Sequence, residues 1–201
     1  SNEKISNQFN INKNWLEYYS LVIFHPFKVE KENYLRDFEN IMKSLIDRNI
    51  NAFVNSPNTD PDNFRLRKII SKYKNRPNFR FFDNLEREMF LSIYKNSKFI
   101  IGNSSSGIVE AASIPIPAIN VGGRQKGRFS SGNVVFVGGE KNQIIDAVNE
   151  VKSEKFLQKI TKIKNPYGNG KSAKKAFKLI KSLSLDSFLL KKEDPLGLNH
   201  E

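Results

Sequence analysis

Between Gly102 and Arg128 the chain reads GNSSSGIVEAASIPIPAINVGGRQKGR, which sets small hydroxyls, a carboxylate and guanidiniums along one stretch. Gly102-Asn103-Ser104-Ser105-Ser106-Gly107 follows a strand-like apolar run and opens a helix-like segment, Ser104 to Ala112. Helix N-termini present unpaired N–H groups and a partial positive charge, which suits an anion. Gly102 and Gly107 allow close backbone approach. Ser104 and Ser105 add hydroxyl donors without bulk, and phosphate is the expected ligand. An ordinary N-cap needs only one serine, so the full run favours the ligand. The pattern is neither a Walker loop nor Gly-x-Gly-x-x-Gly. Glu110 can accept from vicinal hydroxyls such as those of a ribose, although alone it reads as a solvent-facing helix glutamate. Arg124 and Arg128 lie on a glycine-rich loop, where guanidiniums can grip phosphate oxygens bidentately; a solvated turn is the plainer reading. His25 ends the first strand, before Pro26. It could donate to phosphate or move protons, yet a lone strand-end histidine is more often structural. His200, in the terminal tail, is given no role.

The elements that must position these residues follow from hydrophobic periodicity. Short apolar runs predict strands at Ser20–Pro26, 51–55, 78–82, 98–102, 117–121 and 133–137. Apolar residues at helical spacing predict helices over 31–49, 61–75, 86–97 and 140–153, with Pro61 suited to a first turn. Further helical stretches are expected at Lys171–Leu183 and Asp186–Lys191. Strand and helix in alternation with short loops predict one α/β domain, a parallel sheet with helices on both faces. Such sheets bind ligands at the carboxyl ends of their strands. That places His25, Asn55 to Asp60, Asp83 to Leu85, Gly102 to Ser106 and Gly122 to Arg128 together as candidates. The domain is expected over 20–185, after an N-terminal linker or helix at 3–19 and before a C-terminal helix and tail at 186–201. Ser1-Asn2 reads as a scar of tag cleavage, so the chain is expected to be an excised piece.

The 201 residues suffice for a full core, and 38% hydrophobic and 27% charged residues suit a globular protein. No apolar run approaches the roughly 18 residues of a membrane span, and the polar start has no signal-peptide character. Zero cysteines exclude disulfides and thiolate zinc sites and fit a cytoplasmic protein. Two histidines, with no His-x-x-x-His pair, argue against a structural metal site. The net charge is +12, and the 12 lysines against 5 acids from Val151 onward supply seven of the excess charges. These lysines stand at helical spacing beside Phe177, Leu179 and Ile180, which predicts an apolar face packed on the sheet with the lysines in solvent. The tail has no arginine, and a nucleic-acid footprint would favour arginine clusters with interleaved aromatics.

The long run from Gly102 to Arg128 resembles the signature of the UDP-N-acetylglucosamine 2-epimerase family, and most its hydrolysing, sialic-acid-type branch. The matching pattern is Gly-Asn-Ser-Ser-Ser-Gly-x-x-Glu followed by Pro-x-x-Asn-x-Gly-x-Arg-Gln-x-Gly-Arg. "FHP" at Phe24–Pro26, "PNTD" at Pro57–Asp60 and "NPYGNG" at Asn165–Gly170 support it. The family fold has two Rossmann-like halves of the GT-B type with the active site between them, and nearly all of this chain resembles the second half alone. The resemblance implies that Ser104 and Ser105, with Gly102 and Asn103 beside them, hold the UDP phosphates. It implies that Glu110 takes the ribose hydroxyls, Arg124 the diphosphate, and Asn84 and Leu85 the uracil through backbone groups. His25 matches the family's active-site histidine. The carboxylates that move the C2 proton would belong to the first half. The implied partners are UDP, a UDP-N-acetylhexosamine substrate and that N-terminal half, with no cofactor, metal, nucleic acid or membrane; a homo-oligomer stays open. So do a non-hydrolysing epimerase, half of a glycosyltransferase and a UDP-binding module without activity. Two departures bear on the substrate side. Phe27-Lys28 follows His-Pro where the family often has Glu-Thr or a small residue, and Asp62 stands where it often has glycine.

Overall fold

In the computed structural model, residues 2–27 and 33–184 are described. They divide into two compact units, Ser1–Pro166 and Tyr167–Glu201. The first is built on a six-stranded, wholly parallel sheet in the order β3-β2-β1-β4-β5-β6. The strands are β1 (Tyr19–Ile23), β2 (Asn51–Asn55), β3 (Phe79–Phe82), β4 (Ile100–Gly102), β5 (Ala118–Val121) and β6 (Val134–Val137). The helices are α1 (Asn2–Phe9), α2 (Tyr34–Asp47), α3 (Asn63–Tyr73), α4 (Arg87–Asn96), α5 (Ser106–Val109), α6 (Lys141–Lys152), α7 (Glu154–Ile160) and α8 (Ser172–Ser182). The α/β, doubly wound architecture expected from the alternation is what forms. In this strand order the winding of the chain reverses between β1 and β4, the point at which open α/β sheets bind ligands.

Residue alternation explains how both faces are covered. Along β1, Tyr19, Leu21 and Ile23 enter one cluster with Ile93 and Tyr94 of α4 and Ile5 of α1. Val22 and Phe24 enter the other with Phe38, Met42 and Leu45 of α2 and Ile144 and Val148 of α6. Successive strand side chains point to opposite faces, so an unbroken apolar run serves two cores. The segment read as linker or helix forms α1 and a following turn. Its Phe9 and Trp15 rings each lie 4.9 Å from the Phe53 ring.

The boundaries of β1 and of the helix after β4 differ from the sequence reading. β1 starts at Tyr19 and ends at Ile23, not at Pro26. Pro26 has no N–H for a ladder and restricts the residue before it, and the backbone of His25 bonds to a side chain instead. The helix expected over Ser104–Ala112 is a single turn, Ser106–Val109, followed by turns as far as Pro115. α2 has its N-cap at Asn33, whose side chain accepts from Arg36 N–H, and it ends before Asn49 at φ +50°. The expected helix at Asp186–Lys191, the tail beyond it, His200 and Lys28 lie outside the described residues.

In the second unit, α8 was expected to bury its apolar face. Phe177, Leu179 and Ile180 are instead 67%, 59% and 59% exposed.

Candidate functional site

The strand register brings one residue from each strand into a transverse row. Phe82, Asn55, Ile23, Gly102, Asn120 and Phe136 are neighbours in turn. Everything just beyond that row lies on one edge, at the carboxyl ends of the strands. His25, Asn55 to Asp60, Asp83 to Leu85, Gly102 to Ser106 and Gly122 to Arg128 all fall there, as the sequence predicted.

The seam between β1 and β4 is tight. Gly102 has φ +148°, and a Cβ on it would fall on the carbonyl oxygen of Ile23. Only glycine permits both the backbone angle and the approach. Asn103 comes next and is 2% exposed. Its carboxamide clamps the backbone of His25: Oδ1 accepts from His25 N–H at 2.8 Å, and Nδ2 donates to the His25 carbonyl at 2.9 Å. Its own carbonyl accepts from Arg124 Nη1 at 3.0 Å and from Gln125 Nε2 at 2.9 Å. Asn103 therefore joins three loops, those after β1, β4 and β5. Its side chain is committed to protein, so it positions the site rather than presenting itself to a ligand. Gly102, buried in the ladder, acts likewise through its backbone.

Ser104, Ser105 and Ser106 are half-buried at the mouth of this joint. Ser104 Oγ accepts from Ser106 N–H at 3.3 Å, and Ile108 and Val109 N–H donate to the Ser105 carbonyl at 2.9 and 2.8 Å. A single helical turn sums few peptide dipoles, so the field at its N-terminus is weak. Tyr94 on α4 braces the turn, its hydroxyl donating to the Ser106 carbonyl at 2.7 Å. Glu110 caps the turn and is exposed, free to meet a ligand from solvent. Arg128 is exposed at the far end of its loop.

His25 opens onto a cleft of about 310 Å³ that is also lined by Asn55–Thr59, Arg67, Asp83 and Asn84. Asn58 N–H points at His25 Nδ1, 3.4 Å away. Burial lowers the His25 pKa, the positive charge of Arg124 lowers it further, and Asp60 opposes both. The imidazole is thus biased toward its neutral form. Arg67 bonds Asp83 at 2.9 Å and reaches the Pro57 carbonyl at 3.5 Å, which ties the loops after β2 and β3 together. Burden of charge on Asp83 is relieved by hydrogen bonds from Arg67 and Ser56, which hold its pKa down. Asn84 lines the cleft, and Leu85 is half-buried beside it, packed against the core that contains Phe82.

The sequence reading gave no individual role to Asn58 or Gln125. Asn58 lay inside a stretch singled out by its place after a strand and by the PNTD match, and Gln125 inside a glycine-rich loop read for its arginines and for the Arg-Gln-x-Gly-Arg pattern. Among the described residues no group of three or more His, Asp or Glu side chains could hold a metal, and no helix is long and apolar enough to cross a membrane.

Comparison with known proteins gives a consistent result. The family described as UDP-N-acetylglucosamine 2-epimerase matches residues 1–181. The chain is 32% identical over 172 residues to a hydrolysing UDP-N,N'-diacetylbacillosamine 2-epimerase of Legionella pneumophila, covering 86% of this chain and 45% of that one. It is 34% identical over 141 residues to a hydrolysing GDP/UDP-N,N'-diacetylbacillosamine 2-epimerase of Campylobacter jejuni, covering 69% and 36%. The chain thus spans less than half the length of these curated relatives. Among solved structures, the UDP-N-acetylglucosamine 2-epimerase of Neisseria meningitidis bound to UDP-N-acetylglucosamine superposes with a TM-score of 0.70 at 18% identity, over 90% of this chain and 49% of that one. The fold is that of one half of a GT-B enzyme. The chain belongs to the UDP-N-acetylglucosamine 2-epimerase family.

Proposed function

We propose that this chain is the UDP-binding half of a hydrolysing UDP-N-acetylhexosamine 2-epimerase. The observation that carries the reading is the joint at Asn103, which places Ser104 and Ser105, Arg124 and His25 around one strand-end crevice. Ser104, Ser105 and Arg124 hold the diphosphate, Glu110 the ribose hydroxyls, and the backbone at Asn84 and Leu85 the uracil. The names of the two curated relatives support the hydrolysing branch and a diacetylated sugar beside N-acetylglucosamine.

In this reaction a carboxylate from the other half of the enzyme removes the C2 proton. The C1–O bond breaks, a C1–C2 double bond forms and UDP leaves. Water then adds across that bond, hydroxyl to C1 and proton to C2, giving UDP and the 2-epimerised sugar. UDP departure loads negative charge onto the β-phosphate. Preorganised hydroxyls and a guanidinium stabilise that charge at no reorganisation cost. With Nδ1 facing Asn58 N–H, a neutral His25 carries its proton on Nε2 and can donate it to a leaving phosphate.

The test is calorimetry with UDP, UMP and GDP on this chain. UDP is expected to bind better than UMP, and both better than GDP; equal affinity for GDP and UDP would sink the base assignment. Glu110→Gln should weaken UDP by about tenfold, the ~1.5 kcal/mol low end for a charged acceptor at an exposed site. Pyrophosphate, which has no ribose, should bind that variant unchanged. The chain alone should not turn over UDP-N-acetylglucosamine, because the groups assigned to C2 lie in the other half.

A further inference from the structure

Gln125 is 3% exposed, yet only one end of its carboxamide is engaged. Nε2 donates to the Asn103 carbonyl, while Oε1 is buried with no hydrogen-bond partner among the described residues. For stability alone this is a poor arrangement. A buried amide with half its capacity unmet is a worse core element than a methionine of similar size. The bond it does make falls on the same oxygen that receives Arg124 Nη1, so two consecutive loop residues converge on one acceptor. A carbonyl oxygen has two lone pairs. With Gln125 on one of them, the guanidinium can approach only along the other. That fixes which way the remaining four N–H donors of Arg124 point.

We propose that Gln125 is a positioning residue for Arg124, setting the direction from which the guanidinium meets a ligand's diphosphate without itself touching the ligand. The bond also roots the Gly122–Arg128 loop on the end of β4, so the guanidinium and the serine hydroxyls keep a constant separation. The inference rests on the diphosphate site proposed above. It adds a residue that acts through another, and its signature is a loss of affinity without a loss of stability.

The experiment is Gln125→Met in this chain, with UDP and pyrophosphate titrated by calorimetry and thermal melting measured alongside. The melting midpoint is expected to stay level or rise, while both ligands weaken five- to twentyfold. In an Arg124→Ala background the same substitution should cost less than twofold, because its route to the phosphate is gone. Gln125→Glu gives a second view. Ionised, it cannot donate to the Asn103 carbonyl and draws Arg124 aside, so binding falls; protonated at acid pH, it regains a donor and binding recovers. A lower melting midpoint with unaltered affinity would make Gln125 a packing residue and overturn the proposal. Equal losses with and without Arg124 would overturn it too. Wild-type binding of pyrophosphate but not UDP would remove the nucleotide reading and leave Gln125 to be judged on pyrophosphate. Binding of neither would remove both.

Discussion

Asn103→Ala tests the joint most directly. The substitution removes the carboxamide that gives His25 a 2.8 Å acceptor and a 2.9 Å donor, and leaves the partly buried N–H and carbonyl of His25 unmatched. Each loss of this kind costs about 1–1.5 kcal/mol when solvent can partly reach the orphaned group, so the pair should cost about 2–3 kcal/mol. In a domain of this size 1 kcal/mol moves the melting midpoint by roughly 2–4 °C, so the expected drop is about 4–12 °C. Asn103→Asp affects the two bonds differently. It keeps an acceptor for His25 N–H but turns a buried carboxylate oxygen toward the His25 carbonyl, so near neutral pH it should cost at least as much as alanine. The chain has only two histidines, so the imidazole of His25 can be followed by NMR with His200 as the reference. Its signals should broaden in the alanine variant as the loop loosens, and UDP should weaken in parallel. A stability loss below about 0.5 kcal/mol in the alanine variant, with His25 resonances and UDP affinity unchanged, would refute the claim that Asn103 holds this loop.

Gly102→Ala should lose about 3 kcal/mol or more in urea unfolding, because the new methyl group collides with the Ile23 carbonyl at a φ that side chains avoid; a loss under 1 kcal/mol would show that the β1–β4 seam can spread. Asp62 sits in the left-handed region at φ +68° with no side-chain cap bond, so Asp62→Gly should gain about 0.5–1 kcal/mol; a lower melting midpoint would instead give the carboxylate a role of its own. The folded-state pKa of His25 is lowered by burial first and Arg124 second, so the unfolded chain binds its proton more readily. Its contribution to stability is therefore fully present above the unfolded value of about 6.5 and is lost as pH falls through that value toward the folded one. His25→Gln should flatten this part of the profile, and UDP, by offsetting the Arg124 charge, should raise the NMR midpoint of His25; a midpoint that UDP lowers or leaves in place contradicts the shared site.

Much of the fold was readable because the two-sided sheet writes itself as short unbroken apolar runs, and β2, β3 and β5 form within a residue of where those runs fall. The edge at which the candidate residues gather was readable as well. His25, the serines and Arg124 follow strand ends, and Glu110 follows the short turn after β4. What could not be read is what depends on contacts across the chain. Asn103 looked like one more polar residue in a phosphate loop, because its partner at His25 lies 78 residues away. Gln125 was hidden for the same reason. The length of α5 was overestimated because helical spacing says nothing of Gly107, which packs against Ala118 of β5, or of Pro115 and Pro117, which turn the chain into that strand. Asp62, which stands where the family often has glycine, falls on a backbone angle that glycine serves best.

Trp15 is the one tryptophan of the sequence. Its indole N–H donates to the Pro77 carbonyl, its own carbonyl accepts from Asn51 Nδ2, and the Arg80 guanidinium lies 5.5 Å from its ring. Pro77 and Asn51 stand at the amino ends of β3 and β2 and Arg80 one residue inside β3, whereas His25 lies beyond the carboxyl ends; Asn51 is about 13 Å along β2 from the Asn55 end. Intrinsic fluorescence of this chain is therefore a gauge of whether the N-terminal segment is seated on the sheet, and it should be nearly blind to whether the opposite edge is occupied. A melting curve read at the tryptophan and a titration read at His25 watch two ends of one domain, and a ligand that moved both would have to do so through the strands between them.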